Sequence, residues 1–226
     1  MKKRILGRGL AITLALAFSL TMLAAAIYVP ATANWVMRPL MEHFAPPEYT
    51  RLPVEEYEPV VDMITDYLRG KTNSFQHVFT VDSTEYAAFN QKEQHHMADV
   101  QSLFVACRTV FWACFVLTNV GAILLRGKMA WRTFCRTLLI ILAAIAAVII
   151  LACIDFDSLF IRFHQVAFTN DLWLLDPNYD LLIRLMPIEF FISYAAIIGG
   201  LWLLGMVGLL LFATIRIRTL KATEGE

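Results

Sequence analysis

Two stretches of this chain hold the residue types that proton-transfer chemistry needs. The first is Asn90–Val100, where His95 and His96 sit among Glu93 and Asp99. On a helix, Glu93, His96 and Asp99 fall three residues apart and share one face. The second runs from Arg162 to Asp180 and carries His164, Asn170, Trp173 and Asp176. If His96 and His164 meet, one imidazole can act as general base and the other as general acid, with a carboxylate such as Asp99 or Glu93 orienting a ring. Acyl transfer also needs a donor for a developing oxyanion, which Asn170 or Arg162 can supply. Zinc held by Glu93, His96 and His164 is a competing reading. However, Glu93-x-x-His96 is not the H-E-x-x-H pattern and no further clear ligand follows, so no metal is expected. The sequence has no Gly-rich phosphate loop, no G-x-S-x-G elbow and no basic patch suited to nucleic acid.

The elements that must position these residues are membrane helices. Of 226 residues, 58% are hydrophobic and 17% charged, and the mean hydropathy is +0.60. Four apolar runs, Leu10–Val29, Leu103–Leu125, Thr137–Ile154 and Phe190–Thr214, approach or exceed the ~20 residues needed to cross roughly 30 Å of hydrocarbon. The expected fold is a mainly α membrane protein: one integral membrane domain over 1–226, with four transmembrane helices. A small extracytoplasmic cap is inserted at 30–102, and a second extracytoplasmic segment spans 155–189.

Charge sets the expected orientation. Lys2, Lys3, Arg4 and Arg8 precede the first run; Arg126, Lys128, Arg132 and Arg136 fill the second connection; Arg216, Arg218 and Lys221 follow the fourth run. Asp155, Asp157, Asp171, Asp176, Asp180 and Glu189 crowd the third connection against only Arg162 and Arg184. Positive residues stay inside, which places both termini in the cytoplasm and all five histidines outside the membrane. Ala31-Thr32-Ala33 resembles a signal-peptidase site, but the preceding apolar run is long for a signal peptide, so a retained span is expected. Cys107, Cys114, Cys135 and Cys153 lie in or beside runs and imply no disulfide framework.

Within the polar segments, Asn90 and Glu93 have the form of a capping box, which starts a helix at Asn90. Seven residues separate His96 from Leu103, about 10 Å along a straight helix. The helix must therefore bend near Gln101-Ser102, or the substrate must be lifted toward the cap. Arg108, one turn into the second run, is expected to act at the site or to reach a lipid phosphate. Val54–Arg69 reads as a helix closed by Gly70, and Ser74–Val81 as a strand, with His77 as a packing residue. Pro30, Pro39, Pro46, Pro47 and Pro53 predict extended or turn geometry. Asp155–Phe168 reads as an interfacial amphipathic helix with Phe156, Leu159, Phe160, Phe163 and Ala167 on its apolar stripe and His164 off it. Trp35, Trp173 and Tyr179 fit aromatic belts, and Gly199, Gly200, Gly205 and Gly208 suggest close helix packing in the fourth span.

The order and spacing of several short motifs resemble one family. Glu93-x-x-His96-Met97-x-Asp99-Val100 is followed by Phe163-His164 and then by Asn170-x-x-Trp173-x-x-Asp176-Pro177-x-x-Asp180-x-Leu182-Ile183. Pro187-x-x-Phe190-Phe191 completes the series, and Tyr67-Leu68-Arg69-Gly70 ends the cap helix. Together they resemble the lipoprotein intramolecular transacylase family of bacterial membrane proteins. That resemblance implies an acyltransferase whose partners are diacylated lipoproteins and membrane lipid. The sn-2 acyl chain of the diacylglyceryl group moves to the α-amine of the N-terminal cysteine, leaving a lyso-form lipoprotein. It also implies no cofactor, and two catalytic histidines that map onto His96 and His164. Glu93, Asp99, Arg162, Asn170, Trp173, Asp176 and Asp180 are the expected supporting residues. A non-enzymatic four-span complex subunit and a metal-dependent membrane hydrolase are the alternatives.

Overall fold

A computed structural model describes residues 2–125 and 127–222. Arg126 lies outside them, as do the side chains of Lys2, Lys3, Arg4, Lys128 and Lys221. Among the described residues, four helices are long and apolar enough to cross a membrane: α1 (Lys2–Ala31), α5 (Gln91–Leu124), α6 (Lys128–Ile154) and α9 (Ile188–Ala222). Their apolar stretches leave large side chains such as Trp112, Ile123, Ile140 and Leu204 exposed. Lipid is the medium in which such exposure carries no hydrophobic penalty.

The remaining elements are short. They are α2 (Asn34–Phe44), α3 (Pro47–Thr50), α4 (Tyr57–Arg69), β1 (Val78–Val81), β2 (Thr84–Ala87), α7 (Phe156–Ala167) and α8 (Leu181–Leu185). A 3-10 turn at Val54–Glu56 leads into α4. The chain divides into two compact units. The first unites residues 1–27, 108–154 and 198–226; the second unites 28–107 and 155–197.

The first unit packs α1 among its partners. Leu14, Trp131, Phe134, Leu138, Trp202 and Met206 form its buried cluster, and the Trp202 indole donates to the Ser19 carbonyl at 3.1 Å. α6 begins well before Thr137, so that Arg132 and Arg136 ride on its exposed face while Trp131, Phe134 and Leu138 face inward at helical spacing. Of the glycines expected to pack closely, only Gly205 does so: a Cβ there would lie 2.4 Å from the Met22 methyl. Gly199, Gly200 and Gly208 face open space, while Gly121 of α5 meets Leu14 in the same close manner as Gly205.

The second unit holds both histidine-bearing stretches. Met37 and Met41 of α2 are buried, as are Val60, Ile64 and Leu68 of α4. Pro39 therefore lies inside a helix rather than in a turn. It forfeits one backbone hydrogen bond, and the burial of the two methionines on one face offsets that loss. Pro30 likewise sits within the last turn of α1. α4 ends as its sequence predicts, with Gly70 at φ 75° and its N–H returned to the Tyr67 carbonyl. Only the second half of the expected strand forms, pairing antiparallel with Thr84–Ala87. Asp82 and Ser83 both turn with positive φ, the backbone of a tight two-residue hairpin without the usual glycine.

Candidate active site

α5 starts where its cap residues dictate. The Asn90 N–H donates to Glu93 Oε2 at 2.7 Å, and Glu93 N–H donates to Asn90 Oδ1 at 3.1 Å. This is the reciprocal capping box. The helix then runs unbroken for 34 residues, about 50 Å, through Gln101 and Ser102. Instead of bending there, it is tied sideways: Gln101 Nε2 donates to the carbonyls of Tyr67 at 2.7 Å and Thr72 at 3.3 Å. The Glu93–Asp99 stretch thus stands ahead of the apolar run that begins at Leu103.

α7 supplies the other histidine. Asp155 caps it, with Oδ1 accepting from Ser158 N–H at 3.0 Å. Of the expected apolar stripe, Phe156, Leu159, Phe160 and Ala167 are half-buried and Phe163 is exposed together with Ile161 and Val166. Asp157, Ser158, Arg162 and Gln165 mark the exposed side, whereas His164, next to the stripe, is buried. Arg162 lies on the exposed side with Asp155 as its charged neighbour, not beside His164.

His96 and His164 meet. Their ring centroids are 6.2 Å apart, and both rings contact Phe168, at 5.1 and 5.5 Å. Phe160 stacks 4.2 Å from His164, and Trp173 lies 5.1 Å from it on another side. Trp173 is therefore a wall of this cluster rather than a belt residue alone. Residue types alone do not mark Phe160 and Phe168 as part of the site. Their positions four residues before and after His164 are the available signal.

The hydrogen bonds fix one imidazole. His164 Nδ1 lies 2.8 Å from the Phe160 carbonyl. A carbonyl only accepts, so Nδ1 carries the proton in the neutral ring and Nε2 keeps its lone pair. Among the described residues, His96 Nδ1 is buried without a partner. Asp99 Oδ2 accepts from Asn170 Nδ2 at 2.9 Å, and Asn170 Oδ1 accepts from Leu172 N–H at 3.0 Å. Glu93 does not hold an imidazole. Its second oxygen accepts from Leu182 N–H at 2.7 Å, so backbone amides occupy both. Asp180, also buried, accepts from Asn90 Nδ2 and Asp176 N–H, each at 2.7 Å. Glu93, Asp176 and Asp180 therefore knit α5 to the start of α8. His95 is exposed, His77 pairs with Glu56 at 2.6 Å, and Arg108 is exposed on α5 within the first unit. Among the described residues, no three His, Cys, Asp or Glu side chains gather closely enough to hold a metal ion.

Burial dominates the electrostatics. It lowers His96 to about 4, helped by His164 nearby and opposed by Asp99. It also lowers His164, against the pull of the Phe160 carbonyl. Both rings are neutral at physiological pH. The consequence for stability has a definite sign. Between an unfolded value near 6.5 and about 4, only the unfolded chain takes up the His96 proton. Stability present above pH ~6.5 is thus lost as pH falls toward ~4. Thermal midpoints in detergent should fall more steeply over this window for the wild type than for His96→Gln. Equal slopes would mean that the ring titrates as if solvated.

The model of the family described as lipoprotein intramolecular transacylase Lit matches residues 12–191. Solved structures of the membrane integral lipoprotein intramolecular transacylase Lit from Bacillus cereus share the fold at 19% identity. The first has a TM-score of 0.75 and covers 97% of both chains. A variant with one histidine replaced by alanine has a TM-score of 0.69, covering 97% of this chain and 95% of its own. A histidine-to-arginine variant has a TM-score of 0.70, with 97% and 93% covered. No curated protein matches the sequence.

Proposed function

We propose a mechanism from one premise: the chain belongs to the lipoprotein intramolecular transacylase family, by its match over residues 12–191. It is accordingly a multi-pass membrane acyltransferase that acts on lipoproteins. The specific reading is that it takes the diacylated form and moves the sn-2 acyl chain from glycerol to the α-amine of the N-terminal cysteine. The observation that carries this reading is the His96–His164 pair, 6.2 Å apart among aromatic walls, with one tautomer fixed.

The neutral amine attacks the ester carbonyl, forming the C–N bond. His164 Nε2 takes a proton from the attacking nitrogen. The C–O bond to glycerol then breaks, and the departing oxygen receives the proton back through the imidazole pair. Burial makes protonated His96 a strong acid, suited to that last delivery. Asn170 has a second N–H beyond the one given to Asp99 and is the candidate oxyanion donor. Nucleophile and ester share one molecule, so orientation can supply much of the acceleration. The atoms balance without ATP, an external acyl donor or a metal.

The topology is part of the proposal. Residues 30–102 and 155–189 form the extracytoplasmic portion of a single domain over 1–226, with both termini in the cytoplasm. The grouping of 28–107 with 155–197 in one compact unit supports this arrangement. Arg108 is the candidate contact to a lipid phosphate. Expression in a bacterium that makes diacyl lipoproteins tests the reading. Mass spectrometry of lipoprotein N-termini should find one acyl group moved from glycerol to nitrogen. Unchanged N-termini beside well-expressed protein would sink it.

A further inference from the structure

Asp99 is a half-buried carboxylate three residues beyond His96. Among the described residues, Asp99 is engaged only through Oδ2, by Asn170 Nδ2, and the bond from Leu172 N–H to Asn170 Oδ1 holds that amide in place. The carboxylate is therefore fixed without being neutralised. The same wall faces an open cleft of about 530 Å³. Phe168, Asn170 and Trp173 line it, and these residues touch His96, Asp99 and His164 respectively. Ile161 and Val166 of α7 form its other side. The cleft lining includes one acid, Asp171, and no base. The titratable groups on the elements here, besides Asp99, are Glu93, His95 and His96 on α5, Asp157 and His164 on α7, and Asp171 and Asp176 on the loop. Lys92 is turned to the Leu174 carbonyl and lies 4.0 Å from Asp180. Arg162 is on the exposed side of α7.

A fixed carboxylate one turn from His96, held by an asparagine that lines a cleft whose lining has no cation, suits a small cation. The geometry points to Asp99 as the binding site for the substrate's α-ammonium group, entering by this cleft. The inference rests on the reaction proposed above. It adds a selection rule: lipoproteins whose N-terminal cysteine is already acylated on nitrogen are rejected, because they leave the carboxylate without its partner. In the reaction Asp99 holds the cation, one ammonium proton passes by way of His164 Nε2 to solvent water, the resulting amine attacks the ester, and the proton then shed by the attacking nitrogen reaches the departing glyceryl oxygen through the imidazole pair. No further reactant is needed.

The test is competitive binding to the purified full-length protein in detergent. The probes are a synthetic diacylglyceryl-cysteinyl peptide with a free amine and its N-acetylated counterpart. The wild type should prefer the free amine by about tenfold or more, as a charge-assisted hydrogen bond implies. Asp99→Asn should erase that preference while binding the N-acetyl probe as before, and Asp99→Glu should restore part of it. If Asp99→Asn does not fold, Asn170→Ala serves, since it leaves the charge but frees its position and should weaken the preference. A preference that survives Asp99→Asn, or is absent from the wild type, overturns the subsite. Turnover of the free-amine probe by the wild type is read separately: its absence counts against the proposed reaction, whereas the binding preference decides the role of Asp99.

Discussion

His164→Ala lowers the rate of acyl transfer by about 10²–10⁴-fold, the range that a positioned acid–base group supplies. Conversion of a diacyl lipopeptide by purified protein, followed by mass spectrometry, measures it. The expectation follows from one hydrogen bond: with Nδ1 held at the Phe160 carbonyl, Nε2 is the lone pair available to the substrate. The ring also fills space between Phe160, Phe168 and Trp173, so alanine leaves a cavity with a cost of its own. His164→Gln keeps more of the volume but has no comparable base, and it should be nearly as inactive while melting closer to the wild type. His96→Ala should also be severely impaired. If either histidine variant folds and keeps wild-type turnover, the pair is not the proton-transfer machinery.

Much of the site is legible in the sequence because it is local. The capping box needs only Asn90 and a glutamate three residues on, and the common face of Glu93, His96 and Asp99 needs only helical periodicity. The pairing of His96 with His164, 68 positions apart, can be posed but not settled from pattern. At α7 the pattern is read in part: Asp157, Ser158, Arg162 and Gln165 mark the exposed side, but the exchange of Phe163, exposed, for its neighbour His164, buried, depends on Phe168 and Trp173 beyond the helix. Pro39 misleads because burial of Met37 and Met41 overrides propensity. The second role of Glu93 is invisible in the sequence, because its partner at Leu182 lies in a different polar segment.

That second role gives the largest expected effect on stability. Glu93 is 1% exposed, and burial pushes its carboxyl above the usual range, against the bonds from Leu182 and Asn90 that hold it down. One oxygen caps the start of α5 and the other receives the amide at the start of α8, each at 2.7 Å. Asn90 carries the link onward to Asp180, which in turn holds the Asp176 amide. Glu93→Ala leaves the buried Leu182 N–H without an acceptor, at about 1–3 kcal/mol, frees the part-buried Asn90 N–H of the capping box, at about 1 kcal/mol, and adds a cavity. Glu93→Gln has nearly the same shape but offers one acceptor in place of two, so about half of that loss is expected. Thermal unfolding in detergent should therefore rank wild type above Glu93→Gln and Glu93→Gln above Glu93→Ala. Turnover should fall with stability, because His96 lies one turn along the helix that this carboxyl anchors. An alanine variant that melts with the wild type would show that the second unit does not depend on the tie between α5 and α8.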